Sequence, residues 1–190
     1  MTIDAVFGSP LPLIEIACDA YHLRPFLSDD LHLIEEASHD EFIPLITTVP
    51  ADWTPQAGHA FIARQNSRLS QGEGWSLAIA EREVDRAVGQ IGLWISHLHK
   101  GRVEIGYWIV ASGRGQGAAS HAVRALSDWA FEHLDADRLS LFIEPWNTAS
   151  IKTADRAGYE REGLLRSWER VGGVPRDMWS FARTRPDDAG

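Results

Sequence analysis

The sequence contains one cysteine, no long apolar run and fewer basic than acidic residues, and each shortage excludes a class of protein. Cys18 has no second cysteine with which to form an internal disulfide, which is typical of a reducing compartment. No apolar stretch approaches the roughly 18 residues that a membrane-spanning helix needs. The N-terminal residues carry acids and lack a basic region, so we expect no signal peptide. A cytoplasmic protein that does not enter membranes is therefore predicted.

The charge balance limits the partners of the protein. Its 18 Lys and Arg residues are outnumbered by 27 Asp and Glu residues, which gives a net charge of −9. Binding to nucleic acid needs clustered basic residues, so we expect no nucleic-acid partner. An acidic surface instead favours a cationic acceptor such as an amine. The histidines have no metal-ligand spacing beyond His97-x-His99, which lies beside a predicted turn, so no metal site is expected.

The order of periodic segments predicts a mixed α/β (α+β) fold in a single domain, residues 1–190. Strands are predicted at residues 21–26 (paired with 13–16), 75–81, 87–96, 102–110, 138–143, 159–168 and 178–183. Helices are predicted at about 28–38, 55–70, 117–133 and 147–157, with Ser28 as the first N-cap and residues 40–54 as a loop. The three strands between residues 75 and 110 follow one another as an antiparallel meander.

Residues 103–119, VEIGYWIVASGRGQGAA, carry most of the functional information. An apolar run ends in a loop of small residues, and a helical pattern follows at once. Small residues let backbone N–H groups approach an anion, and the following helix presents unpaired N–H groups and the positive end of its dipole. This arrangement predicts a phosphate-binding site.

Two phosphate compounds are candidates for this loop. Residues 113–118, GRGQGA, match the loose dinucleotide fingerprint G-x-G-x-x-G/A. However, the loop follows a meander beyond the middle of the chain, whereas the fingerprint belongs at the first strand of a βαβ series. The acid expected about 20 residues further on is not clearly present, because Asp135 and Asp137 precede the next strand and Glu144 comes later. The other candidate is acyl-CoA.

A family resemblance favours acyl-CoA. Arg114-x-x-Gly117-x-Ala119 resembles the Q/R-x-x-G-x-G/A signature of the GNAT N-acetyltransferase superfamily. The strand at 104–109 looks like its counterpart in the Rim-type branch, the ribosomal-protein N-terminal acetyltransferases and their relatives. Residues 147–159 resemble that branch's N-x-x-S-x-x-x-A-x-x-x-G-F/Y segment, and residues 162–177 resemble its tail. The resemblance covers roughly residues 20–184.

The resemblance implies a GNAT-type fold with acetyl-CoA as the co-substrate. That fold has a mixed, mostly antiparallel sheet flanked by about four helices, and the sheet splays to hold the pantetheine arm. Backbone N–H groups of the loop are expected to bind the pyrophosphate, because glycine at 117 permits close approach or a positive φ. The implied cofactor-binding residues are Ile109, Val110, Arg114, Gly115, Gln116, Gly117, Ala118, Ala119, Asn147 and Ser150.

Attack of an amine on a thioester needs a neutral amine, stabilisation of the oxyanion and a proton for the departing thiolate. The resemblance points to Glu169 as the base and Ser150 as the acid that protonates the thiolate. Glu104 is the second candidate for the base. The alternatives are a solvated strand position for Glu169 and a cross-strand ion pair for Glu104. A backbone N–H near Val110 is the candidate for stabilising the oxyanion.

We therefore expect an acetyl-CoA-dependent N-acetyltransferase that works by direct attack in a ternary complex, as a monomer or a homodimer. The acceptor is a protein N-terminal α-amine or a small-molecule amine. Its recognition is expected to involve the loop at 40–56 with Trp53, and the turn at 169–177 beside Trp168. A non-catalytic acyl-CoA-binding module and a polyamine or antibiotic acetyltransferase of the same fold are the alternatives.

Overall fold

The computed structural model describes residues 3–185 and contains a sheet of eight strands. The strands are β1 Ile16–Cys18, β2 Tyr21–Arg24, β3 Gly74–Glu81, β4 Ala87–Trp94, β5 Arg102–Ile109, β6 Arg138–Ile143, β7 Glu160–Val171 and β8 Val174–Thr184. Their spatial order is β1-β2-β3-β4-β5-β6-β8-β7. Neighbours are antiparallel except β5 and β6, which are parallel. This mixed, mostly antiparallel sheet confirms the predicted fold class.

Five α-helices lie against the sheet in the part of the chain that the structure describes. They are α1 Leu31–Ser38, α2 Ile43–Ile46, α3 Pro55–Gln71, α4 Ala118–His133 and α5 Thr148–Arg156. Side chains of α4 and α5 join one hydrophobic cluster with Leu77 and Ile79, while those of α1 and α3 join a second cluster with Ala78. Successive residues of a strand point to opposite faces, so the two clusters cover opposite faces of the sheet. None of the described helices is both long and apolar enough to span a bilayer.

The sheet opens between β5 and β6, and this opening positions the site. The two strands pair only at three positions, from Arg102–Arg138 to Glu104–Ser140. β6 nevertheless continues to pair with β8 as far as Ile143, and β5 continues to pair with β4 as far as Ile109. The two strands therefore diverge beyond Glu104, as the predicted splayed sheet requires.

Local capping explains why α3 begins and ends where the sequence predicts. The Thr54 side chain accepts a hydrogen bond from the N–H of Ala57 at 3.1 Å, and Pro55 occupies the first helical position. Gly72 ends the helix in the left-handed conformation, with φ of 66°. Each of these signals depends on neighbours in the chain, so the sequence alone reveals them.

Three predictions near the N-terminus are wrong in detail. The strand that pairs with β2 is residues 16–18 and not residues 13–16. Ser28 does not cap the first helix, because it begins a 3-10 turn over Ser28–Asp30; Asp30 then occupies the N-cap position of α1 without a side-chain cap hydrogen bond. The predicted loop at 40–54 contains α2, because Asp40 accepts hydrogen bonds from the N–H groups of Phe42 and Ile43 and thereby starts a helical turn.

The last two strands are longer than predicted. β7 and β8 form a hairpin that closes through Gly172 and Gly173, which have φ of 56° and 82°. Such a two-residue turn with positive φ matches the twist of paired strands, so pairing continues up to the turn itself. The hairpin therefore extends beyond the rest of the sheet, on the side where β5 and β6 diverge.

Candidate active site

The loop between β5 and α4 is built to receive an anion. Gly115 and Gly117 have φ of 81° and 85°, a conformation that favours glycine. The N–H groups of residues 115–120 have no hydrogen-bond partner within residues 3–185. They lie in the loop and in the first turn of α4, where the helix dipole is positive. These residues fit the pyrophosphate of acyl-CoA, as their sequence pattern predicts.

The same loop is tied to the segment around α1 and α2. Glu36 accepts two hydrogen bonds from Ser112, one from the N–H and one from the hydroxyl, both at 2.8 Å. The guanidinium of Arg114 donates to Asp40 at 2.5 Å and to the carbonyl of Ile109 at 3.0 Å. Arg114, predicted as a phosphate partner, is thus already ion-paired with a carboxylate.

Asp40 connects this ion pair to the start of α2. Desolvation alone would raise its pKa, but the N–H groups of Ile43 and Phe42 and the charge of Arg114 hold the pKa below its ordinary value. Asp40 therefore remains a carboxylate that links the anion-binding loop to α2.

A cleft of about 900 Å³ runs beside the loop. Among the predicted cofactor-binding residues, its lining includes Ile109, Arg114, Gly115, Gly117, Ala118, Ala119, Asn147 and Ser150. Two basic residues that are absent from the predicted set, Lys152 and Arg156, line it as well. They lie on α5 one turn apart, so they present positive charge to the same cleft. Lys and Arg are common on exposed helix faces, so nothing in the sequence marks these two residues as part of a binding site.

Every second residue of β5 has its backbone N–H and C=O groups directed away from β4, towards this cleft. The N–H of Val110 itself donates to the carbonyl of Val88 at 3.1 Å, so it is not free to bind an oxyanion. Hydrogen bonding alternates along an antiparallel ladder, so the backbone groups of Tyr107 and Ile109 point away from β4 and towards the opening. The N–H of Ile109 is therefore the better placed donor at the end of this strand.

A second cavity of about 360 Å³ adjoins the cleft. Its wall includes residues 46–48 of the segment around α2, Glu104 and Gly106 of β5, Glu144 at the end of β6, and Glu169 of β7. The cavity and the cleft share six lining residues: Phe42, Ile46, Tyr107, Trp108, Asn147 and Ser150. The two spaces therefore adjoin along these six residues, Ser150 among them.

Two of these shared residues lie at the start of α5. The side chain of Asn147 caps the helix by accepting from the N–H of Ser150 at 3.1 Å. The Tyr107 hydroxyl donates to the backbone carbonyl of Ser150 at 3.4 Å. Ser150 is half-buried and lines both spaces. Burial raises the pKa of Tyr107, more than its contacts with Ser150 and Thr153 lower it.

Three carboxylates line the second cavity. Glu169, predicted as the base, is close enough to the other two for their charges to affect it. Partial desolvation is the larger cause, followed by the negative charges of Glu104 and Glu144, and together they raise the pKa of Glu169. Glu104 has no ion-pair partner within the described residues, so the alternative of a cross-strand ion pair is not what the structure contains.

A bulge in β7 places Glu169 at this cavity. Leu165 pairs with Met178 and Glu169 pairs with Arg176, so three residues of β7 stand opposite one residue of β8. Ser167, within this bulge, has φ of 49°, and its N–H donates to Asp177 at 2.8 Å. Bulges redirect side chains and are common beside active sites. No sequence pattern predicts this one, since Ser167 is an ordinary strand residue by type.

Trp53 and Trp168, which mark the two segments expected to recognise the acceptor, line neither the cleft nor the cavity. Trp53 packs against Gly58 and Leu31 at the second hydrophobic cluster, between α1 and α3. Trp168 is half-exposed and packs against Phe142, with the rings tilted by 40° and their centroids 5.1 Å apart. Phe142 lines the cavity, so Trp168 contacts one of its wall residues. Three aromatic residues line both spaces, namely Phe42, Tyr107 and Trp108, and the sequence did not single out Phe42.

Comparison with known proteins agrees with this geometry. The sequence profile of a family described as "Acetyltransferase (GNAT) domain" matches residues 21–160. The uncharacterized N-acetyltransferase p20 of Bacillus licheniformis is 34% identical over 125 residues, which span 66% of this chain and 70% of the relative.

Solved structures show the same fold. RimJ of Mycobacterium smegmatis, in complex with CoA-disulfide, has a TM-score of 0.77 at 22% identity, covering 96% of this chain and 91% of that chain. The ribosomal-protein-S5-alanine acetyltransferase of Vibrio fischeri has a TM-score of 0.75 at 17% identity, covering 92% of this chain and 98% of that chain. The likeness to these proteins shows that the chain has their fold. The chain belongs to the GNAT acetyltransferase family, whose members take the acetyl group from acetyl-CoA.

Proposed function

We propose that the protein transfers the acetyl group to a primary amine that binds in the carboxylate-lined cavity. The observation that carries this proposal is the junction of two spaces: the cleft beside the anion-binding loop and the acidic cavity meet at Asn147 and Ser150. A donor in the cleft and an amine in the cavity would be in contact there. Direct attack in a ternary complex requires this arrangement, because much of the rate acceleration comes from holding the reactants in contact.

The donor side would be held mainly by backbone. The free N–H groups of residues 115–120 suit the pyrophosphate, and Lys152 and Arg156 suit further negative charge on the nucleotide end. The open edge at Tyr107 and Ile109 suits the amides of the pantetheine arm. When bound, acetyl-CoA supplies an activated acetyl thioester at the inner end of the cleft.

The acceptor side would be held and activated by side chains. Glu169 would remove a proton from the incoming ammonium, directly or through a water molecule, since it lines the cavity and its pKa is raised. Glu104, on the facing strand, is the second candidate for this role. Ser150 would donate a proton to the departing thiolate from its position at the junction.

The nature of the acceptor follows from the charge of the cavity. Three carboxylates favour an amine that arrives as a cation, which fits a protein N-terminal α-amine, a small amine or a polyamine. Two structural relatives are named as RimJ and as a ribosomal-protein-S5-alanine acetyltransferase, and these names favour an α-amine. A cytoplasmic location and a monomeric or homodimeric state remain predictions from the sequence.

Thiol release from acetyl-CoA tests the proposal. The panel comprises peptides with free Ala or Ser termini, small monoamines and polyamines, each with the N-acetylated form as a control. We expect acetyl-CoA to bind to the protein and thiol to be released with at least one class of free amine. The N-acetylated controls should release no thiol. Tight binding without turnover over the whole panel would identify an acyl-CoA-binding module instead. If the protein neither binds acetyl-CoA nor acetylates any amine, the proposal is overturned.

A further inference from the structure

Arg68 places a positive charge at the wall of a cavity whose other charged residues are acidic. Of the described residues that line the acceptor cavity, Arg68 alone is basic, whereas Glu104, Glu144 and Glu169 are carboxylates. Arg68 forms an ion pair with Glu73 at 2.7 Å, but Glu73 is not among the residues that line the cavity. Within residues 3–185, none of the three cavity carboxylates forms an ion pair with Arg68. Opposite charges therefore face one space without being paired to each other.

Three contacts hold the guanidinium of Arg68 in one orientation. Its Nε donates to Oε1 of Gln65 at 3.0 Å, and its Nη1 donates to Glu73 at 2.7 Å. Its central carbon lies 4.6 Å from the centroid of the Trp94 ring. Gln65 is only 1% exposed, and two other buried side chains donate to the same oxygen, which fixes its position. A guanidinium that is already oriented loses little conformational entropy when it binds an anion.

One nitrogen of this guanidinium remains available for a ligand. Nη2 of Arg68 donates to no acceptor within residues 3–185. It is nevertheless open to solvent, because the described side-chain atoms that are both closed to solvent and unpartnered are Oε1 of Glu144 and Nη1 of Arg183. Arginine binds carboxylates well, since its N–H groups are charged donors in a planar fork. Arg68 lines the cavity, so Nη2 is the donor for an oxyanion that enters it.

The indole of Trp94 separates the positive end of the cavity from the negative end. Trp94 of β4 stands directly opposite Glu104 of β5 in the sheet. Side chains of such a pair share one face of the sheet, with Cβ atoms about 4.5–5.5 Å apart. Arg68 lies over the ring of the same tryptophan. The carboxylate, the indole and the guanidinium thus follow one another along the wall, and a molecule with an ammonium at one end and a carboxylate at the other matches this order.

We propose that Arg68 binds a carboxylate of the acceptor, which is therefore a small amino acid and not an uncharged amine or a polyamine. This rests on the proposed N-acetyltransferase function and names the class of its acceptor. The ammonium lies among the cavity carboxylates near Ser150, and the carboxylate accepts from Nη2 of Arg68. Arg68 binds and orients the substrate and takes no part in the transfer itself.

The charges of the cavity favour a single orientation of such a molecule. If it were reversed, its carboxylate would lie among three negative charges and its ammonium beside a guanidinium, and both contacts are repulsive. A polyamine would bring its second ammonium to Arg68, so it is disfavoured for the same reason. The cavity volume of about 360 Å³ is in the range of sites for small molecules.

The first test compares amino acids with their uncharged amides in the wild type. The pairs are glycine and glycinamide, β-alanine and β-alaninamide, 4-aminobutanoate and 4-aminobutanamide, and glutamate and glutamine. We expect kcat/KM to be about 10- to 100-fold higher for the acid in the pair whose length spans the two ends of the cavity. Equal values in every pair would overturn the proposal. Acetylation of a peptide that begins with Glu, but of none of the free amino acids, would overturn the assignment to a small molecule.

An Arg68→Gln variant tests the residue itself. We expect the preference for the acid to shrink below about 3-fold, because the amide lacks the group that Arg68 binds and the loss falls on the acid. Turnover of 1,4-diaminobutane should rise relative to 4-aminobutanoate, since the repelling charge is gone. A preference that stays at its wild-type value would overturn the proposal.

Two further variants separate this role from a structural one. Arg68→Lys keeps the charge and should keep a preference for the acid of at least about 3-fold. Arg86→Gln removes an equal charge at the exposed turn of residues 82–86, at the end of β4 opposite to Trp94, and should leave the preference unchanged. The affinity for acetyl-CoA should be the same in all three variants, which reports correct folding.

Failure of the proposed function is distinguishable from failure of this inference. If the wild type acetylates no amine, the transferase proposal fails. Calorimetric titration of the same acids and amides into the CoA complex then tests Arg68 separately, because it needs no turnover. Binding of one acid about 10-fold more tightly than its amide, and loss of that difference in Arg68→Gln, would support the role of Arg68. Equal affinities, or binding of neither, would overturn it.

Discussion

The donor cleft and the acceptor cavity adjoin each other but are built in opposite ways. The donor cleft relies on backbone N–H groups from one continuous segment, residues 115–120. The acceptor cavity relies on side chains that are far apart in the chain, with Glu104, Glu144 and Glu169 coming from three different strands or strand ends. A backbone site tolerates changes of side chain, whereas a side-chain site can be altered one residue at a time. The donor is thus fixed by local geometry, and the acceptor is open to change.

The donor cleft and the acceptor cavity are also linked by direct contacts. Arg114 and Ser112 of the anion-binding loop bind Asp40 and Glu36, which belong to the segment that carries α1 and α2. Phe42 and Ile46 of that segment line both spaces. Movement of the donor loop would therefore shift part of the acceptor wall, so the two half-sites are distinct in chemistry and connected in structure.

Glu169→Gln should have the largest effect and should act on the acceptor side alone. The variant keeps the size of the side chain but removes the group that takes the proton. A positioned general base contributes about 100-fold or more, so we expect kcat to fall by about that factor while acetyl-CoA affinity stays the same. Steady-state kinetics and calorimetry with acetyl-CoA check the two halves of this prediction. Unchanged kcat at saturating substrates would remove Glu169 from the role.

Gly117→Ala should have an intermediate effect and should act on the donor side. Residue 117 has φ of 85°, and an added Cβ would lie 3.2 Å from the His121 ring. The variant costs about 1–3 kcal/mol of strain or moves the loop, so we expect the KM for acetyl-CoA to rise about 10-fold with little change in the KM for the amine. Gly163→Ala is the control, because its φ is not in the left-handed region and no atom lies within 4 Å of the added Cβ. A rise in the amine KM alone would contradict the division into two half-sites.

The pH dependence should show the smallest effect. Desolvation and the charges of Glu104 and Glu144 raise the pKa of Glu169, so the acidic limb of kcat/KM should lie above the range of an ordinary carboxyl group. The base works only when deprotonated, and removing a neighbouring negative charge lowers its pKa. Glu104→Gln should therefore move the acidic limb to lower pH. An unmoved limb would mean that a group other than Glu169 titrates, and Glu83→Gln serves as the control.

Prediction from the sequence succeeded where the signals are local. The boundaries of α3 follow from Thr54, Pro55 and Gly72, which act within a few residues of one another. The anion-binding loop follows from the glycines at 115 and 117, because glycine is the residue that adopts their positive φ without strain.

Prediction failed where contacts between distant segments decide. α2 follows a turn in which Asp40 accepts from the N–H groups of Phe42 and Ile43, and Asp40 in turn is paired with Arg114, 74 residues away. Glu169 reaches the cavity through the bulge at Ser167, which is held by Asp177 of the neighbouring strand. Glu144 looks like an ordinary charged residue after an apolar strand, and only the divergence of β5 and β6 turns its position into the wall of a cavity.

The sequence by itself determined the donor. A strand, a glycine loop and a helix start are contiguous, and their backbone presents an anion site wherever the helix forms. The tertiary structure decided the acceptor cavity, because its three carboxylates come from segments that meet only when the sheet is assembled and splayed. Backbone geometry is set by neighbours in the chain, whereas the burial of a charge and its lack of a partner are set by everything that packs around it.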